Sequence, residues 1–155
     1  MVLENVAGTT LRGVQRILTA SLIAIFVALS AIHVFWAAGG RAGSAAAIPR
    51  AAGRPLLTPS PLSTLAVAAA LIAAALVTAA AAGWLGRETL VRFGRPLAYL
   101  MALVFAVRAV GDFRYVGFFK LLGDEPFRSW DNWLFSPLCL AIAVAAFAVA
   151  SHRDA

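Results

Sequence analysis

A single cysteine, Cys139, occurs in the 155 residues, so no disulfide can close within the chain and no cysteine-spaced metal site exists. Charge is scarce as well. Asp, Glu, Lys and Arg together make up 13% of the chain, where a soluble domain has about one quarter. Acidic residues are the rarer sign, 7 against 13 Lys and Arg, and the formal charge is +6. Signature motifs are missing too: there is no HExxH, no nucleophile elbow, no Gly-rich phosphate loop and no carboxylate cluster spaced for a metal. No cofactor and no metal are therefore expected. The basic balance does not point to nucleic acid, because the arginines flank apolar runs, where headgroups attract them, and no basic helix or aromatic platform stands free of those runs.

Apolar sequence is what the chain has in abundance. Hydrophobic residues make up 62%, and the mean hydropathy is +0.87. Four runs are long enough to cross a hydrocarbon core of about 30 Å. They lie at about 18–38, 62–85, 96–113 and 133–150. Lipid offers the backbone no hydrogen-bond partner, so spanning segments are helices or closed barrels, and period-two alternation of the barrel kind is absent. The fold expected is all-α: one integral-membrane four-helix bundle filling residues 1–155. The first run, at about 21 residues, exceeds the roughly 7–15 of a signal-peptide core, and His33 and Trp36 occupy the place of a small-residue cleavage site. It reads as a retained helix.

Local signals refine this picture. Ser60-Pro61 is a helix start, with a hydroxyl at the N-cap and proline at the first helical position. Eleven alanines between Leu62 and Leu85 make a slim rod that neighbours can approach closely. Ser129 and Ser136-Pro137 are two candidate starts for the fourth helix. The connections are a long first loop, Gly39 to Ser60, a short second one, Gly86 to Arg95, and an aromatic third one, Arg114 to Asn132, expected in the membrane interface. Asp124-Glu125 between Gly123 and Pro126 reads as a solvated turn. Arg12, Arg16, Arg87, Arg92, Arg95 and Arg153 fall on the side of the termini. Arg41, Arg50, Arg54, Arg114, Lys120 and Arg128 fall on the other. The counts tie, and the dense short second loop leans the orientation toward cytoplasmic termini in a plasma membrane.

Three ionisable groups stand inside the runs. At about 1.5 Å per residue, His33 lies roughly 22 Å along the first helix, and Arg108 and Asp112 roughly 18 and 24 Å along the third. All three share a layer near one face. Arg108 and Asp112 are four apart, a spacing that lets them pair on one helical face. An unpaired charge near mid-helix costs about 2.5–3.5 kcal/mol, so the pair is expected to point inward, toward His33. Trp36, Arg114, Lys120 and Asp131 complete a polar pocket roofed by the first loop and the third connection. Of these, His33 and Asp112 are the candidate acid–base pair.

The clusters IHVFWAAGG, with His33, Trp36, Gly39 and Gly40, RAVGDFRYVGFFK, with Arg108, Gly111, Asp112, Arg114, Gly117 and Lys120, and FRSWD followed by Ser136-Pro137-Leu138, resemble one family. It comprises small bacterial four-span membrane proteins grouped as domain of unknown function 3995. The resemblance implies the span count and the choice of residues, and no activity.

Three functions fit these residues. One is a module that binds or helps transport a small polar or anionic ligand, since the arginine fork suits carboxylate and phosphate; a homo-oligomer is then expected. The second is an accessory or structural membrane subunit whose polar layer sets helix packing. The third is an enzyme acting on a lipid-like substrate through His33 and Asp112. The lipid bilayer is the partner common to all three.

Overall fold

The computed structural model describes residues 2–152. Helix α1 runs Val2–Ala37, and its apolar part from Arg12 onward is long enough to cross a membrane. The first loop then forms a short helix α2, Ser44–Ala47, and a small antiparallel hairpin of β1, Arg50–Ala51, and β2, Arg54–Pro55. Helix α3 spans Pro61–Ala81 and α4 spans Glu88–Val110. The last rod is composite: α5, Phe127–Trp130, a single wide π-turn, Asp131–Phe135, and α6, Ser136–Ser151. The chain is thus an all-α four-helix bundle with four membrane-crossing helices. Arg153, counted above on the side of the termini, lies outside the described residues.

The rods pack in a ring: α1 on α3, α3 on α4, α4 on α6, and α6 back on α1. The core between them is built from Leu22 and Phe26 of α1, Ala98 and Ala102 of α4, and Ile142 and Ala146 of α6. Leu76, Leu103, Val107, Val144 and Phe147 point outward and are exposed, as lipid-facing side chains must be. The alanine-rich α3 lets α4 come close. A Cβ added to Gly94 would sit 2.7 Å from the Ala81 amide nitrogen and 2.9 Å from the Ala80 Cβ, so this crossing depends on a residue without a side chain.

Helix ends follow local chemistry. The Ser60 hydroxyl accepts from the Ser63 amide at 3.1 Å with Pro61 behind it, as the sequence predicts. At the other end of α3, Gly83 adopts φ 75, its amide donates to the Ala80 carbonyl, and the Trp84 amide donates to the Ala79 carbonyl at 2.9 Å. That paired bonding closes the helix at Ala81, short of the expected Leu85.

Two other boundaries differ from expectation. Helix α4 begins at Glu88 and carries Pro96 inside it, so much of the expected second loop is helical. Pro96 is exposed and only two turns in, where water or headgroups can take the Arg92 carbonyl that proline leaves without a donor. The same helix ends at Val110 rather than near Phe113, because Gly111 turns to φ 93 and the chain folds back. In the last rod neither Ser129 nor Ser136 is a cap. The helix opens at Phe127 after Pro126, and Pro137 lies inside it, with the widened turn directly before the missing N–H.

The first loop docks on the third connection. The Gly53 amide donates to Asp124 Oδ2 at 2.7 Å, the Asp124 amide donates to the Arg50 carbonyl at 3.1 Å, and α2 packs on α5. Asp124 is therefore a latch between segments 71 residues apart, and not only part of a solvated turn. Several apolar side chains in and beside the third connection face outward, while Phe127 is buried. Trp133 and Leu121 are largely exposed, and the exposed Phe113 and Phe119 rings stack at 6.1 Å. This aromatic rim suits the headgroup layer.

Two glycines give a paired test of the packing. Gly94→Ala is expected to destabilise the protein by about 1–3 kcal/mol, because backbone must move to admit the methyl. Gly13→Ala, in an exposed stretch of α1 with nothing within 4 Å, is expected to be neutral or to stabilise slightly. Thermal unfolding in one detergent or nanodisc preparation separates the two.

Candidate functional site

Helix α4 cannot end cleanly at Val110 without donors for its last carbonyls, and the third connection supplies them. The chain reverses after Gly111 so that the Phe118 amide donates to the Ala109 carbonyl at 2.8 Å. The reversal brings Gly111 and Gly117 together so tightly that a Cβ on Gly111 would lie 1.8 Å from the Val116 carbonyl oxygen. Asp112 organises the turn. Its Oδ1 accepts three successive amides, from Arg114 at 2.9 Å, Tyr115 at 2.7 Å and Val116 at 3.0 Å. The Val116 amide above all, then those of Tyr115 and Arg114, hold the Asp112 carboxyl below its ordinary value of 3.8.

The expected Arg108–Asp112 pair is therefore not formed. Spacing of four brings two side chains together only while the helix continues, and this helix stops between them. Arg108 pairs instead with Asp131 of the π-turn: its Nη2 donates to Oδ1 at 2.7 Å. Lys120 Nζ donates to the other oxygen, Oδ2, at 2.8 Å, and the Gly117 amide donates to the same Oδ2 at 2.8 Å. Asp131 has no exposed surface, and the Lys120 side chain is 2% exposed. Lys120 is saturated, since its remaining donors go to the Gly117 carbonyl and Asn132 Oδ1. One carboxylate thus binds two cations, which leaves an excess of one positive charge in a centre where Asp131 and Lys120 are buried and the Arg108 side chain is 32% exposed.

Arg108 is not saturated. Its Nη1 is buried and has no hydrogen-bond partner among the described residues. Ser136 Oγ is in the same condition, on a residue with no exposed surface. A helical serine ordinarily donates back to the carbonyl four residues earlier, as Thr78 does to Ala74 at 2.8 Å. Here the π-turn displaces those carbonyls, because the Ser136 amide reaches back to Asp131. Wide turns of this kind often mark functional positions. A second pair of buried unpartnered atoms, Thr19 Oγ1 and Arg95 Nε, lies toward the other end of the bundle, where Arg95 Nη2 donates to the His152 carbonyl at 2.7 Å.

His33 and Trp36 form a separate unit, with no hydrogen bond or ion pair to Arg108 or Asp112. His33 Nδ1 lies 2.8 Å from the Leu29 carbonyl, which can only accept, so Nδ1 carries the proton. The Trp36 ring meets the imidazole edge-on at 5.1 Å, and Trp36 Nε1 donates to the Ala42 carbonyl of the first loop at 2.8 Å. Arg114 is exposed, and its side chain forms no hydrogen bond or ion pair with the centre. Of the residues expected in a polar pocket, the structure thus joins Arg108, Lys120 and Asp131. It sets His33 with Trp36, and it assigns Asp112 to its own turn. Gly117, Asn132 and Ser136 were not among the expected site residues. The Ser136-Pro137 step is visible in sequence, but as one of two candidate helix starts. Among the described residues no three His, Cys, Asp or Glu side chains come together as a metal set would require.

The two aspartates separate in experiment. Asp131→Asn leaves two cations facing a neutral group and is expected to cost about 3–5 kcal/mol, as breaking a buried ion network does. Asp112→Asn keeps an acceptor oxygen for the three amides and is expected to lower the melting temperature far less. The stabilisation from Asp112 is present above its unfolded value and is lost only as pH falls through the depressed folded value, so acid titration of the Asp112→Asn protein should lack a step seen below 3.8 in the wild type.

A family model described as protein of unknown function, DUF3995, matches residues 26–146, which contain every residue of this centre. No curated protein and no solved structure matches the chain. With that match across most of its length, and with four apolar helices of spanning length, this membrane protein belongs to the DUF3995 family.

Proposed function

We propose that the protein binds a small monovalent anion at the inner side of the Arg108–Asp131 centre, in a multi-pass bundle whose termini are cytoplasmic. One observation carries this reading: a buried guanidinium nitrogen, Arg108 Nη1, has no partner among the described residues, in a centre that already holds one cation more than it holds carboxylates. In a low-dielectric setting an unpaired buried charge is costly, and a bound anion would remove both the excess charge and the unmet donor. Ser136 Oγ offers a second contact and carries no charge of its own. The planar fork of arginine accounts for its use here in place of a second lysine, since Nη2 can hold Asp131 while Nη1 faces a ligand.

The division of labour follows from the bonds. Lys120, with every donor committed inside the protein, fixes Asp131 and the third connection. Asp131 in turn aims Arg108. Transport would need passage past the Phe26–Phe105 contact, whose rings lie 5.7 Å apart in the bundle interior. Binding from one face is the activity the geometry favours, and movement across the membrane would call for further copies or partners. Arg87, Arg92 and Arg95 in and beside the short second connection support cytoplasmic termini.

The test is anion-dependent stability in nanodiscs of zwitterionic lipid. Acetate or chloride is expected to raise the melting temperature of the wild-type protein in a saturable way. Arg108→Met should remain folded and lose that response, and Ser136→Ala should weaken it by about tenfold, the scale of one hydrogen bond to a charged partner. An unchanged anion response in Arg108→Met would overturn the reading.

A further inference from the structure

Between α4 and α6 the outer surface carries an apolar groove of about 460 Å³. Its floor is alanine: Ala102 and Ala106 of α4 and Ala143 of α6 are too small to fill the space between the rods. Exposed Leu103 and Val144 stand beside that floor as walls. From Tyr99 to Ala106 the groove follows α4 for about 10 Å, a large part of one leaflet's share of a hydrocarbon core of about 30 Å. At its Tyr99 end that ring meets Phe147 of α6 edge to face, with centroids 5.4 Å apart. No side chain of the protein covers the floor, so in a membrane the trough must be filled by hydrocarbon.

One turn nearer the termini, Arg95 joins the same two rods. It precedes Tyr99 by four residues and so lies on the groove side of α4. Its Nη2 donates to the His152 carbonyl, just past the end of α6, at 2.7 Å. That bond fixes a guanidinium across the mouth of the groove. No carboxylate pairs with it among the described residues, and its buried Nε has no partner there. Arg87 and Arg92 add positive charge against one carboxylate, Glu88, on this stretch of the chain. The Tyr99 side chain leans toward the amino end of its helix, hence toward Arg95, and its hydroxyl makes no hydrogen bond among the described residues. A cation, a hydroxyl and an apolar trough thus follow one another along a single line.

We propose that this groove binds one anionic glycerophospholipid, with its phosphate on Arg95, an ester carbonyl on the Tyr99 hydroxyl and one acyl chain along Ala102, Ala106 and Ala143. The three stations stand in the order in which a phospholipid carries phosphate, ester and chain. Charge selects the headgroup. A guanidinium without a carboxylate attracts a lipid of net negative charge, and its pairing with phosphate is a charge-assisted hydrogen bond. With Nη2 held by His152, Nη1 is the donor left to reach the phosphate. The walls decide between a lipid chain and a second copy of the protein. Leu103 and Val144 hold another helix backbone off the alanine floor, whereas a flexible chain passes between them. This site lies at the opposite end of the bundle from the Arg108–Asp131 centre and does not depend on anion binding there.

Native mass spectrometry of the full chain, released from nanodiscs of phosphatidylglycerol and phosphatidylcholine in equal amounts, is expected to show phosphatidylglycerol retained on the protein in preference to phosphatidylcholine. In mild detergent, added phosphatidylglycerol should raise the melting temperature in a saturable way, while phosphatidylcholine and inorganic phosphate should not. Arg95→Met is expected to weaken that response by about tenfold or more, the scale of one hydrogen bond to a charged group. Ala106→Phe, which fills the floor and leaves every charge in place, should weaken it comparably. Equal retention of the two lipids by the wild type, a result that needs no variant, overturns the proposal. An unchanged phosphatidylglycerol response in Ala106→Phe overturns it by showing a charged surface with no seated chain, and equal stabilisation by inorganic phosphate does so by showing a simple ion site. A dimer that Ala106→Phe converts to monomer assigns the groove to a second copy and overturns it as well.

Discussion

The carboxylate of Asp131, without exposed surface, accepts from Arg108, Lys120 and the Gly117 amide at 2.7–2.8 Å, and the rest of this end of the molecule hangs on it. Each partner belongs to a different part of the chain: the last turn of α4, the return of the third connection, and the tight turn between them. Removing such a charge from water is costly, and that cost is met only when every lone pair is occupied. The result is a joint between the third and fourth rods that is specific in a way that alanine packing alone is not. Its arithmetic is also unbalanced, with two cations to one carboxylate.

Small side chains do the complementary work. Gly94 against Ala80 and Ala81, and the Ala98 and Ala102 stripe against α6, bring rods close where lipid supplies no hydrophobic drive. Between these rods the Phe26 and Phe105 rings meet at 5.7 Å. On the outside, the latch between Gly53 and Asp124 holds the first loop over α5, next to the carboxylate. The polar end is thus bounded by aromatic rings beneath, a pinned loop above and an exposed aromatic rim at the headgroup layer.

The sequence made the architecture legible because composition alone decides it. Blocks of apolar residues this long have one solution in lipid, and the Ser60-Pro61 cap is as local as a signal can be. Residues of the centre were legible as types, since ionisable groups inside apolar runs are costly enough to need a reason. Their partners were not. Arg108 and Asp112 satisfy the i,i+4 rule on paper, but a glycine at position 111 ended the helix and gave Asp112 three backbone amides instead. Asp131 could be named as a site residue, yet its role as hub depends on a π-turn for which no periodicity argument exists. Ser136-Pro137 is one of two candidate helix starts on sequence grounds for the same reason: a Ser-Pro step looks identical whether it begins a helix or sits within one.

Hydropathy and spacing by themselves determined that this chain crosses a membrane four times, which helices bear the polar groups, and which end of the bundle those groups share. These are properties of each segment in lipid and require no knowledge of its neighbours. Which carboxylate meets which cation, which guanidinium nitrogen is left without a partner, and how the first loop is fastened over them were decided only by the tertiary structure. Such contacts join residues 11 to 71 positions apart, and their energies depend on burial that no single segment possesses before the rods assemble.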